Sequence, residues 1–396
     1  MAFSMLKVQA MRVMCLQPES IPLALYIHMP WCIKKCPYCD FNSHAVPDGQ
    51  LSSTLEAEYI DALLADAAQQ VTWTQGRPIS SVFVGGGTPS LISAAGYDRL
   101  FRQLRLLFSF SPDCEITLEA NAGTLEHAPF ADYLAVGINR LSLGVQTFDD
   151  RLLQVLGRVH SADDALRAIA GARAAGFDRV NVDLMHGLPQ QTAAQAVQDL
   201  QLAIDAGATH LSWYQLTIEP NTVFFRTQPL LPDEDCLAEI QAAGEALLRQ
   251  QGFVQYEVSA WAREQPCRHN LNYWQFGDYL AIGAGAHGKV TWPDRIERYQ
   301  KSRLPKDYLA EFPASPKQIQ SIAADELPFE FMMNVLRLVK GVDVRLFAER
   351  TGLEAAVLAE PLQRLQQQGL ISRKPDRLSC TPQGLNYLNH VLAQFE

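Results

Sequence analysis

Short runs of β-branched and aromatic residues alternate with longer stretches of helical periodicity through the first two thirds of the chain, and this alternation limits the fold more than any other feature. The runs are 23–28 (LALYIH), 81–85 (SVFVG), 115–120 (EITLEA), 140–145 (RLSLGV), 179–185 (RVNVDLM) and 211–216 (LSWYQL). Between them, 53–70, 94–108, 162–175 and 193–206 read as helices, with Gly176 and Gly207 as stop signals. Strand and helix in strict succession imply a parallel sheet, because a parallel neighbour is reached only by a crossover. The expected fold class is α/β, with residues 21–232 forming a partial (β/α)6 barrel of TIM type. Its chemistry belongs at the C-terminal ends of the strands, where the loops converge.

Beyond Pro232 the texture changes. Residues 233–292 read as a barrel extension of mixed α+β character: a helix over 234–251, then a stretch rich in aromatics and glycine. Residues 293–326 carry prolines and charges and read as a connector. Residues 327–396 place helices before two short strands around the turn KPDR and end in a helix, the order of a winged-helix-like domain. Arg364, Arg373, Lys374 and Arg377 could serve DNA there, but a packing role fits better with a formal net charge of −10 over the whole chain. No nucleic-acid partner is expected. Residues 1–20 read as a flexible leader without the continuous apolar core of a secretion signal. No run approaches the roughly 18 apolar residues of a membrane span. Eight cysteines among 396 residues are too sparse for a disulfide scaffold, which points to a reducing cytoplasm.

Three of those cysteines are bunched behind the first strand, in WCIKKCPYCDF. Cys32, Cys36 and Cys39 could bind zinc with His44 as a fourth ligand. They could equally hold a cubane iron–sulfur cluster, in which three thiolates leave one iron open to a substrate. Behind the second strand comes VGGGTPS, where Gly85, Gly86 and Gly87 let backbone approach a ligand closely. Later strand ends add Glu119, Asn121, Gln146, Arg158 and Asp183, carboxylates, amides and a guanidinium suited to a zwitterionic, hydroxyl-bearing ligand.

The CxxxCxxC loop after the first strand resembles that of the radical S-adenosylmethionine (SAM) family. The runs LEAN, SLGVQTF, GRVH and VDLMHGLP resemble its coproporphyrinogen-oxidase-like branch. The resemblance covers nearly the whole chain beyond the leader. It implies a 4Fe-4S cluster on Cys32, Cys36 and Cys39. It further implies SAM contacts from Tyr26, Tyr38, Gly86, Gly87, Thr88, Glu119, Gln146, Arg158 and Asp183.

Two subgroups of that branch differ in function. The oxygen-independent coproporphyrinogen III oxidases decarboxylate two propionates by a radical route and carry a further cysteine two residues after the third, where this chain has Phe41. The haem chaperones bind haem and pass it on. HNLNYW, 269–274, resembles their HNxxYW motif, which implies haem contacts from His269, Tyr273 and Trp274. Cys267 reads as a second ligand or a buried thiol. Gly283, Gly285 and His287, in AIGAGAHG, read as a tight backbone approach near the SAM site. The expected function is therefore haem delivery to acceptor haemoproteins, with the oxidase as the alternative. By resemblance the partners also include an electron donor such as flavodoxin or ferredoxin, and a second copy of the chain. The expected location is cytoplasmic, with peripheral contact at the inner face of the membrane.

Overall fold

The structure is a computed structural model that describes residues 15–46, 49–123, 129–311 and 318–396. Strand β1 (Leu23–Met29) leads into a loop in which β2 (Trp31–Cys32) and β3 (His44–Ala45) pair with each other. Then come β4 (Ile79–Gly86), β5 (Phe110–Asn121), β6 (Arg140–Gln146), β7 (Arg179–His186) and β8 (His210–Gln215). β1, β4, β5, β6, β7 and β8 pair in parallel in that order, as the alternation requires.

The crossover helices Ser53–Gln69, Ala94–Leu107, Ala162–Ala174 and Ala193–Asp205 start where Ser52, Ser93, Ser161 and Thr192 accept a first-turn amide. Their apolar faces pack on alternate strand residues such as Val82, Val84, Ile116, Leu118, Leu141, Leu143, Val180 and Val182, all in one hydrophobic core. The other alternation is polar. Ser81, Thr117, Ser142 and Asn181 are buried on the inner side of the barrel, with Glu119 and Asp183 in the same period.

β9 (Val254–Glu257) and β10 (Ala260–Ala262) add to β8 in antiparallel fashion. β11 (Asp278–Ile282) pairs in parallel with the other edge of β1, which makes a seventh parallel strand. β12 (His287–Thr291), β13 (Ile296–Gln300) and β14 (Gln318–Ser321) continue the sheet to twelve strands. Residues 293–326 are thus more than the connector expected. β13 and β14 lie within them, hidden in the sequence because Glu297, Arg298 and Gln300 are polar and only Ile296 and Tyr299 of β13 are buried. β11 is fixed by a buried ionic group: the Asp278 carboxylate accepts from Arg77 at 2.7 Å and Lys289 at 2.9 Å. Burial opposes ionisation there, yet the two cations hold Asp278 below the usual carboxylate range.

The C-terminal segment has its own hydrophobic core, with Phe331, Phe347, Leu358, Leu365, Ile371, Leu378 and Val391. Helices Leu327–Val335, Arg345–Thr351 and Ala359–Gln367 precede β16 (Arg377–Leu378), which pairs with β15 (Val342–Asp343). Ile371 and Cys380 bridge across the KPDR turn. Arg377 binds the carbonyls of Lys340 and Gly341, so its guanidinium serves the domain itself. Leu16, expected in a flexible leader, is buried in this same core, and its amide donates to the Pro293 carbonyl at 3.1 Å. Apolar burial pins residues 15–20; the leader's first 14 residues lie outside the described ones.

Candidate functional site

The cysteine loop, the glycine run and the polar strand ends meet at the C-terminal rim of the barrel. After Met29 the chain turns through β2, and the rim holds it by backbone bonds: the Gly87 amide donates to Met29 and the Thr88 amide to Trp31, both at 2.7 Å. Glycines from three later loops press on this segment. A Cβ on Gly87 would lie 2.4 Å from the Trp31 oxygen, one on Gly157 2.7 Å from Pro37 Cδ, and one on Gly285 2.1 Å from Asn42 Nδ2. Asn42 donates in turn to the carbonyls of Ala284 and Arg303. AIGAGAHG therefore packs against the cysteine loop at Asn42.

Cys32, Cys36 and Cys39 are free thiols of intermediate exposure. Burial pushes the Cys32 and Cys39 thiols up, opposed at Cys32 by the Thr88 hydroxyl and at Cys39 by the backbone near Phe41 and the Ser43 hydroxyl. A coordinating metal reverses that balance by deprotonating them. Among the described residues no three His, Cys, Asp or Glu side chains are gathered closely enough to hold a single ion. A cubane, unlike a single ion, spreads its thiolates over separate irons. The donor set of three thiols fits such a cluster. Arg158 stands beside it, its guanidinium 3.7 Å from Cys36 Sγ.

Arg158 also donates to Asn121 Oδ1 at 2.7 Å, and Asn121 Nδ2 donates to Thr88 Oγ1 at 3.0 Å. This chain of bonds links the ends of β4 and β5, and the loop after the short helix Asp150–Val155 that carries Arg158, to the cysteine loop. The Gly86 amide donates to Glu119 Oε2 at 3.1 Å, and Gly86 needs its positive φ of 117° and its missing Cβ to fit beside the His28 ring. Gln146 takes a φ of 75° where β6 and β7 slip register, and its Oε1 accepts from Tyr214 at 2.9 Å. Such a conformation costs energy in a residue with a side chain, and positions like this gather at functional sites. Burial, and after it the nearby Asp183, raise Glu119 to about 8; burial also raises Asp183. The barrel mouth thus holds two acids that favour a cationic or hydroxyl-bearing ligand. Tyr38 lies against Phe224 beside the rim.

Tyr26 and His28 share one face of β1, two residues apart. His28 Nε2 can only donate to the Asn42 carbonyl, at 2.8 Å, so its Nδ1 accepts from the Tyr26 hydroxyl at 2.9 Å. Burial lowers His28 to about 4, which keeps it neutral. The sequence reading missed His28, Asn42 and Tyr214. The period of two along β1 could have exposed His28; Asn42 carried no signal, because its partners lie more than 240 residues away.

The HNLNYW residues are elsewhere. They form the helix Arg268–Trp274, which packs on β1, β4 and β11. His269 is 6% exposed, its ring 5.1 Å from that of Phe83 and its Nδ1 3.3 Å from Ser81 Oγ. Burial lowers it to about 4. Ser81 is near the start of β4 and the Gly86–Thr88 turn at its end, so His269 is on the barrel side away from the rim. The Tyr273 hydroxyl accepts from the Tyr279 hydroxyl at 2.9 Å, and Trp274 packs toward the C-terminal core under the Arg337 guanidinium. The three side chains therefore face separate surroundings. Glu115 anchors the helix by accepting from the amides of Arg268 and His269, each at 3.2 Å, and from Cys267 Sγ at 3.3 Å. Cys267 is a buried thiol, raised to about 11 by burial. The role of Glu115 had no sequence signal, since its partners follow some 150 residues later.

Comparison with known proteins agrees with this fold. A family described as the Radical SAM superfamily matches residues 26–203, and one described as the HemN C-terminal domain matches 322–386. A protein named heme chaperone HemW from Haemophilus influenzae is 46% identical over 385 residues, covering 96% of this chain and 99% of its own. The protein of that name from Escherichia coli K12 is 45% identical, covering 94% and 98%. A mouse protein, radical S-adenosyl methionine domain-containing protein 1, mitochondrial, is 36% identical over 95% of this chain and 88% of its own. The solved coproporphyrinogen III oxidase HemN of Escherichia coli superposes with a TM-score of 0.79 at 24% identity, over 96% of this chain and 91% of that one, and shares the fold. The chain belongs to the radical SAM superfamily, and within it to the family of the HemW-type haem chaperones.

Proposed function

We propose that this protein is a radical SAM-type haem chaperone that binds a 4Fe-4S cluster, SAM and haem and delivers haem to acceptor haemoproteins. The observation that carries the reading is identity of 45% and 46%, over nearly the full length, to proteins bearing that name. A cluster in this loop would supply an open iron for the amino and carboxylate groups of SAM and a route for one electron. Cys32, Cys36 and Cys39 would hold it. Gly86, Gly87 and Thr88 offer backbone to the ligand's amino end, Arg158 offers a guanidinium to its carboxylate, and Glu119, Gln146 and Asp183 offer acceptors to its ribose and its charge. Tyr26 and Tyr38 flank it. Phe41 is 62% exposed where the oxidases carry a further cysteine, which favours the chaperone over the oxidase.

In the same reading His269, with Tyr273 and Trp274, contacts haem, and reaching His269 requires the helix Arg268–Trp274 to part from β4. An electron donor of flavodoxin or ferredoxin type, a homodimer, a cytoplasmic location and peripheral membrane contact complete it. Among the described residues no helix is long and apolar enough to cross a membrane.

One anaerobic experiment tests the proposal. Reconstituted protein is titrated with haem and mixed with an apo-haemoprotein, and a parallel sample receives SAM, reductant and coproporphyrinogen III. Haem binding and transfer without decarboxylation is the expected result. Vinyl products formed with turnover would favour the oxidase. A His269→Ala variant that keeps wild-type haem affinity and spectrum would remove His269 as a contact.

A further inference from the structure

Arg140, at the start of β6, is 3% exposed, and among the described residues its Nε is buried without a hydrogen-bond partner. A buried donor left without an acceptor is costly, so such a group calls for an explanation. Glu115, Asp183, Cys267 and Tyr256 lie within its electrostatic reach, and the charge of Arg140 acts in turn on Glu119, His210 and His269. It therefore stands inside the barrel, between the acids of the SAM rim and the His269 helix.

Glu115 and Asp183 already accept other bonds. Glu115 Oε1 accepts from Cys267 Sγ and the His269 amide, and its Oε2 accepts from the Arg268 amide and pairs with Arg179. Asp183 Oδ1 accepts from Asn181 at 2.8 Å, and Oδ2 from Ser142 at 3.2 Å. Thr117, the register partner of Arg140 on β5, is fully buried, and its Oγ1 also lacks a partner. Two unsatisfied polar groups therefore sit side by side on the inner wall, a planar cation and a hydroxyl.

Building on the haem-carrier reading, we propose that Arg140 and Thr117 form a carboxylate subsite inside the barrel that receives a propionate of the tetrapyrrole cargo. The guanidinium fork matches a carboxylate in shape and charge, and the Thr117 hydroxyl can donate a further bond. The subsite orders the ligand with its acid arm toward Arg140.

The test uses full-length reconstituted protein and two probes, haem and haem dimethyl ester, in which both carboxylates are blocked. Wild type should bind haem about tenfold to a hundredfold more tightly than the ester, the scale of a charge-assisted hydrogen bond. Arg140→Gln should bind both equally, and Arg140→Lys should regain part of the preference. Equal binding of the two probes by wild type, or an unchanged preference in Arg140→Gln, overturns the subsite. Failure of wild type to bind haem at all defeats the haem reading, and the subsite is then judged with sodium propionate. A rise in thermal midpoint with propionate, greater than with equal chloride and absent in Arg140→Gln, supports it. An equal rise with both salts marks an adventitious ion only and overturns it, as does no rise. Thermal midpoints of the unliganded variants verify that each is folded.

Discussion

Gly87→Ala places a methyl group where the backbone of the cysteine loop now runs. The added carbon would meet the Trp31 oxygen at 2.4 Å, the Trp31 carbonyl carbon at 2.8 Å and the Met29 oxygen at 3.0 Å. All three atoms are main chain, so no side-chain rotation relieves the contact, and the two strands' ends must separate. Overpacking of this kind costs about 1–3 kcal/mol. The bonds from Gly87 to Met29 and from Thr88 to Trp31 stretch with it, each worth about 0.5–1.5 kcal/mol net. Even a total of about 2 kcal/mol, charged to the conformation that receives the ligand, corresponds to roughly a thirtyfold loss of affinity. Gly87 has no positive φ, so alanine's own backbone preference adds nothing, and the whole effect is steric. Equilibrium dialysis against SAM after anaerobic reconstitution, with iron and sulfide counted per chain, measures it. Full iron loading together with wild-type SAM affinity in Gly87→Ala would refute the steric argument.

Gly171→Ala is the contrasting substitution: its added carbon meets nothing closer than Phe130 at 3.7 Å, inside the helix Ala162–Ala174. It should stabilise the protein by about 0.5–1 kcal/mol, seen as a higher thermal midpoint with SAM binding unchanged. Glu119 keeps its proton to about 8, mainly through burial and then through Asp183, with Arg140 opposing. Its folded value lies above the ordinary one, so its contribution is complete below about 4.5 and is lost as pH rises through about 8. Without SAM, Glu119→Gln should therefore flatten the fall in denaturant midpoint between those limits, and an unchanged slope would contradict the assignment. Asp278→Ala strands the buried Arg77 and Lys289 cations. A loss of about 3–5 kcal/mol in urea unfolding is expected, and a near-neutral result would show that the pair is solvated.

The six parallel strands and their helices could be read from the sequence because each carries its own period, and observed boundaries such as Leu23–Met29 and Arg179–His186 fall within a residue or two of the expected ones. The cysteine loop and the glycine turn were legible for the same reason: their meaning is local. β11 was not, since five buried residues in an aromatic stretch give no sign that they pair with β1 some 250 positions earlier. Arg140 illustrates the other limit. Its sequence neighbours mark a strand, but that its Nε is left without an acceptor follows only from how Glu115 and Asp183 are spent across the barrel. His269 shows that a motif can be recognised while its surroundings are not: the helix is there, and its imidazole is turned inward against Ser81 and Phe83.

Gly87, Gly157 and Gly285 press on the thiol-bearing segment from separate directions, and none of their contacts involves a sulfur atom. The path of that segment is consequently set by main-chain and side-chain packing at residues other than the cysteines, so exchanging one of the three glycines displaces the thiols without touching them.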